Sequence, residues 1–140
     1  MINSSEKFWI NLSGNSMFPV LRDQDQVLID PVPYEKLFLG DVILIRDFYS
    51  SELVIHRLIE FPMKTKGDFS LVCETNPPDA YLGRACGYLR SDIIKDLPNY
   101  HGLYLFFSKM RMSNYFTRKI ALLGLLLTTV FWKFYSAKTT

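Results

Sequence analysis

Apolar residues fall in short runs over the first ninety positions, each closed by a glycine, a proline or a small polar turn. "QVLID" (Gln26–Asp30) stops at Pro31 and Pro33, "DVILIR" (Asp41–Arg46) follows Gly40, and "ELVIHRLIE" (Glu52–Glu60) follows a Ser-Ser turn and ends before Pro62. "FSLVCE" (Phe69–Glu74) comes after Lys66-Gly67-Asp68, which reads as a hairpin turn, and "RACGYLR" (Arg84–Arg90) follows Gly83. Strands punctuated at roughly ten-residue intervals predict a mainly β domain, either barrel-like or a folded sheet. "SDIIKDLPNY" reads as a connector, and "GLYLFFSKMRM" as the approach to a C-terminal helix.

The pattern changes at the C-terminal end. "IALLGLLLTTVFW", Ile120 to Trp132, carries no charge and is flanked by Arg118-Lys119 and by Lys133. As a helix it rises only about 20 Å, against a hydrocarbon core of about 30 Å. Snorkelling by Lys133, with Trp132 and Tyr135 as interfacial aromatics, narrows that gap, so the expectation is a short or tilted membrane anchor. A helix packed on its own domain and an in-plane segment are the alternatives. The division expected is a catalytic domain over 1–108 and a C-terminal apolar helix over 109–140. The first twelve residues, "MINSSEKFWINL", hold no apolar stretch long enough for a signal peptide or anchor.

Composition narrows the classes. At 140 residues, 49% hydrophobic and 21% charged, the chain is neither a disordered tail nor a polytopic membrane protein. A formal charge of +2, with no basic stripe interleaved by aromatics, gives no reason to expect nucleic acid. Cys73 and Cys86 have no metal or redox spacing; they read as buried free thiols, with a disulfide as the alternative. No metal and no cofactor is expected.

Chemistry concentrates in "SGNSMFPVL", Ser13 to Leu21. A serine hydroxyl needs a base to take its proton and donors for the oxyanion that follows. Gly14 lets the backbone approach a substrate, and Pro19 stiffens the chain leaving the turn. The bases on offer are His56, inside the apolar strand "LVIHRLI", and His101, which reads as a loop residue. Strand alternation puts Val54, His56 and Leu58 on one face and Ile55, Arg57 and Ile59 on the other. A buried imidazole that stays neutral is the form a general base requires; a histidine satisfied by a backbone carbonyl is the alternative.

The segments "SGNSMFPVLRDQDQVLI", "LGDVILIR", "VIHRLIE" and "LGRACGYL", covering about residues 12–90, resemble the signal-peptidase and repressor-autoprotease superfamily of serine proteases. Ser16-Met17-Phe18-Pro19 matches its nucleophile box and Gly40-Asp41 its second Gly-Asp; the first reads Gln24-Asp25, with glutamine in place of glycine. His56-Arg57, 40 residues after Ser16, resembles the branch that uses histidine, the archaeal and endoplasmic-reticulum type, rather than the lysine branch. The resemblance implies a signal-peptidase-like folded sheet, Ser16 as nucleophile and His56 as general base. It places Gly14, Asn15 and Met17 around the oxyanion and the substrate. The family's supporting aspartate follows a Lys-Gly-Asp-Asn segment. Matched to "VCETNPPDA", which keeps Asn76 but lacks Lys-Gly-Asp, it falls on Asp79; a turn aspartate after Pro-Pro is the alternative reading, and Asp41 is a rival that reads better as a strand cap. The side-chain donor that many members carry two positions before the nucleophile is replaced by Gly14, which leaves Ser13 or a backbone amide for that task.

By this resemblance the partner is a peptide or preprotein bound as an extended strand, cut by a membrane-associated serine endopeptidase that processes signal or leader peptides. Lys109, Arg111, Arg118 and Lys119 precede the apolar segment while Lys133 and Lys138 follow it, which by the positive-inside tendency keeps the catalytic domain cytoplasmic. Standard signal peptidases hold it outside, so both faces stay open. Two other readings stand beside this one: a catalytically silent peptide-binding relative, and a self-cleaving regulator whose scissile bond would be Cys86-Gly87.

Overall fold

The computed structural model describes residues 6–97, 101–110 and 115–138. Within them the chain is mainly β: an eight-stranded antiparallel sheet that does not close, followed by two helices. In chain order the strands are β1 (Phe8–Asn11), β2 (Gln26–Asp30), β3 (Val42–Arg46), β4 (Leu53–Glu60), β5 (Lys64–Lys66), β6 (Glu74–Thr75), β7 (Tyr81–Arg90) and β8 (Ile93–Asp96). The helices are α1 (His101–Met110) and α2 (Tyr115–Lys138). The sheet runs β1-β2-β7-β3-β4-β5-β6, with β8 added to β7. β7 is its hub: Tyr81 to Arg84 pair with β3, Arg84 to Leu89 with β2, and Gly87 to Arg90 with β8.

The strands expected at 26–30, 41–46, 52–60 and 84–90 are present within a few residues. The strand expected at Phe69–Glu74 is not: residues 67–73 form a loop, and only Glu74–Thr75 pair, with β5. The connector "SDIIKDLPNY" holds β8, whose exposed Ile93 and Ile94 gave no alternating pattern to read. The barrel-like expectation is corrected to an open sheet.

Burial explains the central strand. β3 reads Val-Ile-Leu-Ile without alternation because both of its faces are covered. Val42 and Leu44 join the larger core with Val27, Ile29, Ile55, Ala85 and Tyr88, while Ile43 and Ile45 join a smaller one with Leu37, Leu58 and Met63. Val54 and Leu58 pack on the smaller core and Ile55 on the larger, the alternation expected for β4. On β1, Phe8 and Ile10 face the larger core and Trp9 faces outward.

The helices belong to this core. Tyr104 of α1 and Leu125 of α2 are buried among Met17, Val20, Leu21 and Leu97. Gly124 of α2 lies against the Phe107 ring of α1, where an added Cβ would clash with the ring, so the missing side chain on α2 makes room for the aromatic one on α1. Among the described residues no helix is long and apolar enough to cross a membrane. α1 spans positions on both sides of the expected 108/109 division. His101 opens α1, but its side chain lies outside the described residues, as do those of Trp132, Lys133 and Tyr135. Cys73 and Cys86 are free thiols and half-buried.

Gln24, which stands where the resembling family has glycine, has φ +68°, a left-handed conformation that a side chain disfavours. Its amide donates to the Leu12 carbonyl at 3.0 Å, so the turn holds the strained residue in place. Gln24→Gly is therefore expected to raise unfolding free energy by roughly 0.5–1 kcal/mol, read as a higher Tm and denaturant midpoint; a fall would refute the strain at this turn.

Candidate active site

Ser16 begins a turn whose next residues sink into the core. Met17, Val20 and Leu21 are at most 2% exposed, which leaves Ser16 on the solvent side of a buried anchor. The Met17 carbonyl accepts from the Val20 and Leu21 amides at 3.0 Å each, and the Asn15 carbonyl from Phe18. Upstream, Gly14 has φ +88° and donates its amide to Asp23 Oδ1 at 2.8 Å, while Asn15 Oδ1 accepts from the Asp23 amide at 3.2 Å. The far end is clamped by Arg90, which grips both carboxylate oxygens of Asp25 at 2.6 and 2.8 Å and reaches the Val20 carbonyl. The Ser16 amide and the Ser13 hydroxyl make no hydrogen bond among the described residues, and both residues are exposed.

A second segment backs the turn. The Phe69 amide donates to the Ser16 carbonyl at 2.8 Å, and Gly67 lies so close that a Cβ there would sit 2.5 Å from the same oxygen. Phe69 also packs edge-on to Phe18. Between them, Asp68 is fully buried and takes a two-pronged contact from Arg57, Nε at 2.7 Å and Nη2 at 2.6 Å. The third prong, Nη1, donates to the Gly40 carbonyl at 2.7 Å, and the guanidinium lies 5.0 Å over the Tyr104 ring. Lys66 is buried as well: its ammonium donates to the Gly67 carbonyl at 2.9 Å and lies 3.5 Å from Ser108 Oγ of α1. Lys66-Gly67-Asp68 is a Lys-Gly-Asp tripeptide, the pattern that is absent from "VCETNPPDA". It escaped because a Lys-Gly-Asp tripeptide before an apolar run also reads as a hairpin turn.

His56 is the neighbour of Arg57 on β4, and Arg57 is the register partner of Lys66. One strand therefore presents the candidate base and the residue that holds the segment behind Ser16. The imidazole is 6% exposed. Its Nδ1 lies 3.2 Å from Glu74 Oε2, a contact that becomes an ion pair only when the ring is protonated and that falls short of hydrogen-bond geometry. Burial pushes its pKa below the ordinary 6.5; Glu74 and Asp68 pull it back up and the Lys66 charge adds to the depression. Neutral imidazole is the form favoured near pH 7. In this conformation the Ser16 hydroxyl makes no hydrogen bond to His56.

The other expected residues fall as follows. Asp79 is exposed on the 3-10 turn Pro78–Ala80, and among the described residues the carboxylate in ionic reach of His56 is that of Glu74. Asp41 caps the turn before β3, its Oδ2 accepting from the Phe38 amide at 2.9 Å. Gly14 and Asn15 border Ser16 in the turn, whereas the Met17 side chain serves the core. Asn76 is buried and its Oδ1 accepts from the Phe48 amide at 2.9 Å, tying the β3–β4 turn to the chain after β6. Glu74 went unnoticed because its pairing with β5, not any sequence spacing, brings it to His56. A cavity of about 120 Å³ beside Arg57 and Tyr104 includes neither Ser16 nor His56 in its lining. Among the described residues no group of three or more His, Cys, Asp or Glu could hold a metal ion. In comparisons with protein families, curated proteins and solved structures, the chain matches none.

Two measurements follow from this geometry and need no substrate. Gly67→Ala forces the Ser16 carbonyl away and is expected to destabilise the protein by about 1–3 kcal/mol. Gly102→Ala, with nothing within 4 Å of its added methyl, should be neutral or mildly stabilising. Equal melting of the two variants would remove the close approach of Gly67 to Ser16. In NMR titration the His56 ring protons should report a pKa below 6.5, lowered further by Glu74→Gln, which removes a carboxylate favouring imidazolium, and unmoved by Asp79→Asn.

Proposed function

We propose that the protein is a serine endopeptidase of the signal-peptidase type, acting on an extended peptide such as a signal or leader segment. The observation that carries this reading is the shared support of Ser16 and His56. The segment pinned to the Ser16 backbone is gripped by Arg57, and the residue before Arg57 on the same strand carries, on the other face, a buried imidazole kept neutral at physiological pH. Ser16 is the nucleophile. His56 takes its proton as the hydroxyl adds to the scissile carbonyl, then returns that proton to the leaving amine; water repeats the cycle on the acyl-enzyme. Glu74 is the carboxylate placed to orient the ring and stabilise imidazolium once it forms, the role first read for Asp79. The uncommitted Ser16 amide, with the Ser13 hydroxyl beside it, is the donor set for the oxyanion. The open, antiparallel sheet agrees with the folded sheet expected of this family, and a peptide bound along an edge beside the turn would present its carbonyl there.

A silent peptide-binding relative is the second reading, and the unmade Ser16–His56 hydrogen bond favours it. Self-cleavage at Cys86-Gly87 fits less well: Gly87 is paired with Leu28 on one side and Asp96 on the other, deep in the hub strand. Catalysis separates the first two readings. With a precursor peptide as substrate, Ser16→Ala and His56→Ala should each lower kcat/KM by about 1000-fold or more, Ser16→Ala leaving the melting curve in place and His56→Ala, at a buried site, lowering Tm while the protein stays folded. The kcat/KM of the unmodified protein should lose its base only on acidification to below pH 6.5, since a lowered His56 pKa keeps imidazole neutral down to that point. Full activity in either variant, or a peptide bound by the unmodified protein but never cut, would overturn the peptidase.

A further inference from the structure

Charge is divided along this chain. Residues 1–100 hold ten Lys and Arg against fourteen Asp and Glu, a formal charge of −4; residues 101–140 hold six basic residues and no acidic one, a charge of +6. The basic residues stand at both ends of α2 and along the approach to it: Lys109, Arg111, Arg118, Lys119, Lys133 and Lys138.

The helices of this basic region also expose apolar side chains. On α2, Ile120, Leu123, Leu127 and Val130 recur at helical spacing and are 41–60% exposed; on α1, Leu103 and Phe106 are half exposed or more. The opposite side of α2 is already occupied, with Ala121 and Leu125 completely buried on the protein's own core.

We propose that α1 and α2 seat the protein in the plane of an anionic lipid surface, without crossing it. An apolar stripe on one side of a helix, with cations at both its ends, suits a helix lying along the boundary between headgroups and acyl chains. A spanning helix would have to offer lipid its whole circumference, and one side of α2 is committed to the core. The uncharged run from Ile120 to Trp132 is too short to span, but lying flat it sets its flanking cations at headgroup level at both ends. Charge selects among occupants of the stripe. A second copy of the chain would bring +6 against +6, whereas anionic headgroups match it. The same surface repels the −4 remainder of the chain, so the attached protein stands with its helices toward the lipid. Ser108 of α1 lies at Lys66, next to the Gly67 that abuts Ser16, so the Ser16 turn is held near that surface. Attachment of this kind does not depend on proteolysis.

The test uses the full chain and vesicles of phosphatidylcholine, alone or with about one-third phosphatidylglycerol. The protein should co-sediment with the anionic vesicles at least about tenfold better than with the neutral ones, come off as salt is raised, and be extracted by an alkaline carbonate wash. Leu123→Glu with Leu127→Glu changes only exposed side chains, so circular dichroism and melting should be unchanged while vesicle binding falls about tenfold or more. Ser16→Ala should bind like the unmodified protein, which separates this inference from the peptidase reading. Carbonate-resistant or salt-insensitive binding would overturn in-plane seating in favour of insertion. Unchanged binding by the double variant would overturn the stripe as the contact. Absence of vesicle binding, with a dimer that the double variant dissolves, would overturn lipid in favour of a second copy.

Discussion

The buried ion pair between Arg57 and Asp68 is the constraint on which the rest of this site depends. Its two short contacts lie where the side chains are 4% and 0% exposed, so each charge has exchanged water for the other. Removing one partner of such a pair leaves the other stranded, at a cost of about 3–5 kcal/mol. What makes the pair tolerable is that the remaining guanidinium donor has the Gly40 carbonyl and the flat face has Tyr104. Four parts of the chain therefore meet on one side chain: β4, the turn before β3, the segment after β5, and α1. The adjacent residue on β4 is His56, so the same grip steadies the backbone that carries the imidazole, although the two side chains leave the strand on opposite faces.

The Ser16 turn is held from three directions, and the hydroxyl is left out of all of them. Met17 and its neighbours anchor it from below, Arg90 and Asp25 hold its exit, and Phe69 takes its carbonyl. Each tether acts on backbone or on a neighbouring side chain. That arrangement fixes the position of Ser16 while sparing its amide and hydroxyl, as a group that must change partners during a reaction requires. Ser16 and His56 make no hydrogen bond to each other; each is positioned by its own neighbours, Ser16 by the segment that Arg57 grips and His56 by the strand that carries Arg57.

Much of this was readable in the sequence, and the failures have physical causes. β2, β3 and β4 announced themselves because their burial is strong and their ends are marked by Pro31, Gly40 and Pro62. β8 hid because it covers β7 with exposed isoleucines and so has no apolar face to contrast with a polar one. β5 and β6 are three and two residues long, shorter than any periodicity can register. The Ser16 turn and His56 were legible as chemistry in unusual surroundings. Glu74 was not, since only the pairing of β5 with β6 carries it to His56. Lys66-Gly67-Asp68 was visible and misread, because a tripeptide that makes a good turn also makes a good buried brace once Arg57 faces it. The C-terminal run misled in a different way: its apolar character has two uses at once, a buried side for Leu125 and an exposed side for Leu123 and Leu127, and composition adds them into one signal.

That double use of α2 ties the two ends of the molecule together. Leu125 and Tyr104 share a core with Met17, and Tyr104 and Ser108 lie against Arg57 and Lys66, so the helices take part in shaping the Ser16 turn. A helix that only tethered the domain would need no such contacts, and one that only completed the core would need no exposed stripe and no surplus of cations. The contacts of α1 are made with Arg57, which holds Asp68, and with Lys66, which holds the Gly67 carbonyl. Tyr104 and Leu125 also share their core with Val42 and Leu44 of β3 and with Ala85 and Tyr88 of β7, so the helix pair is packed on the sheet and on the Ser16 turn together.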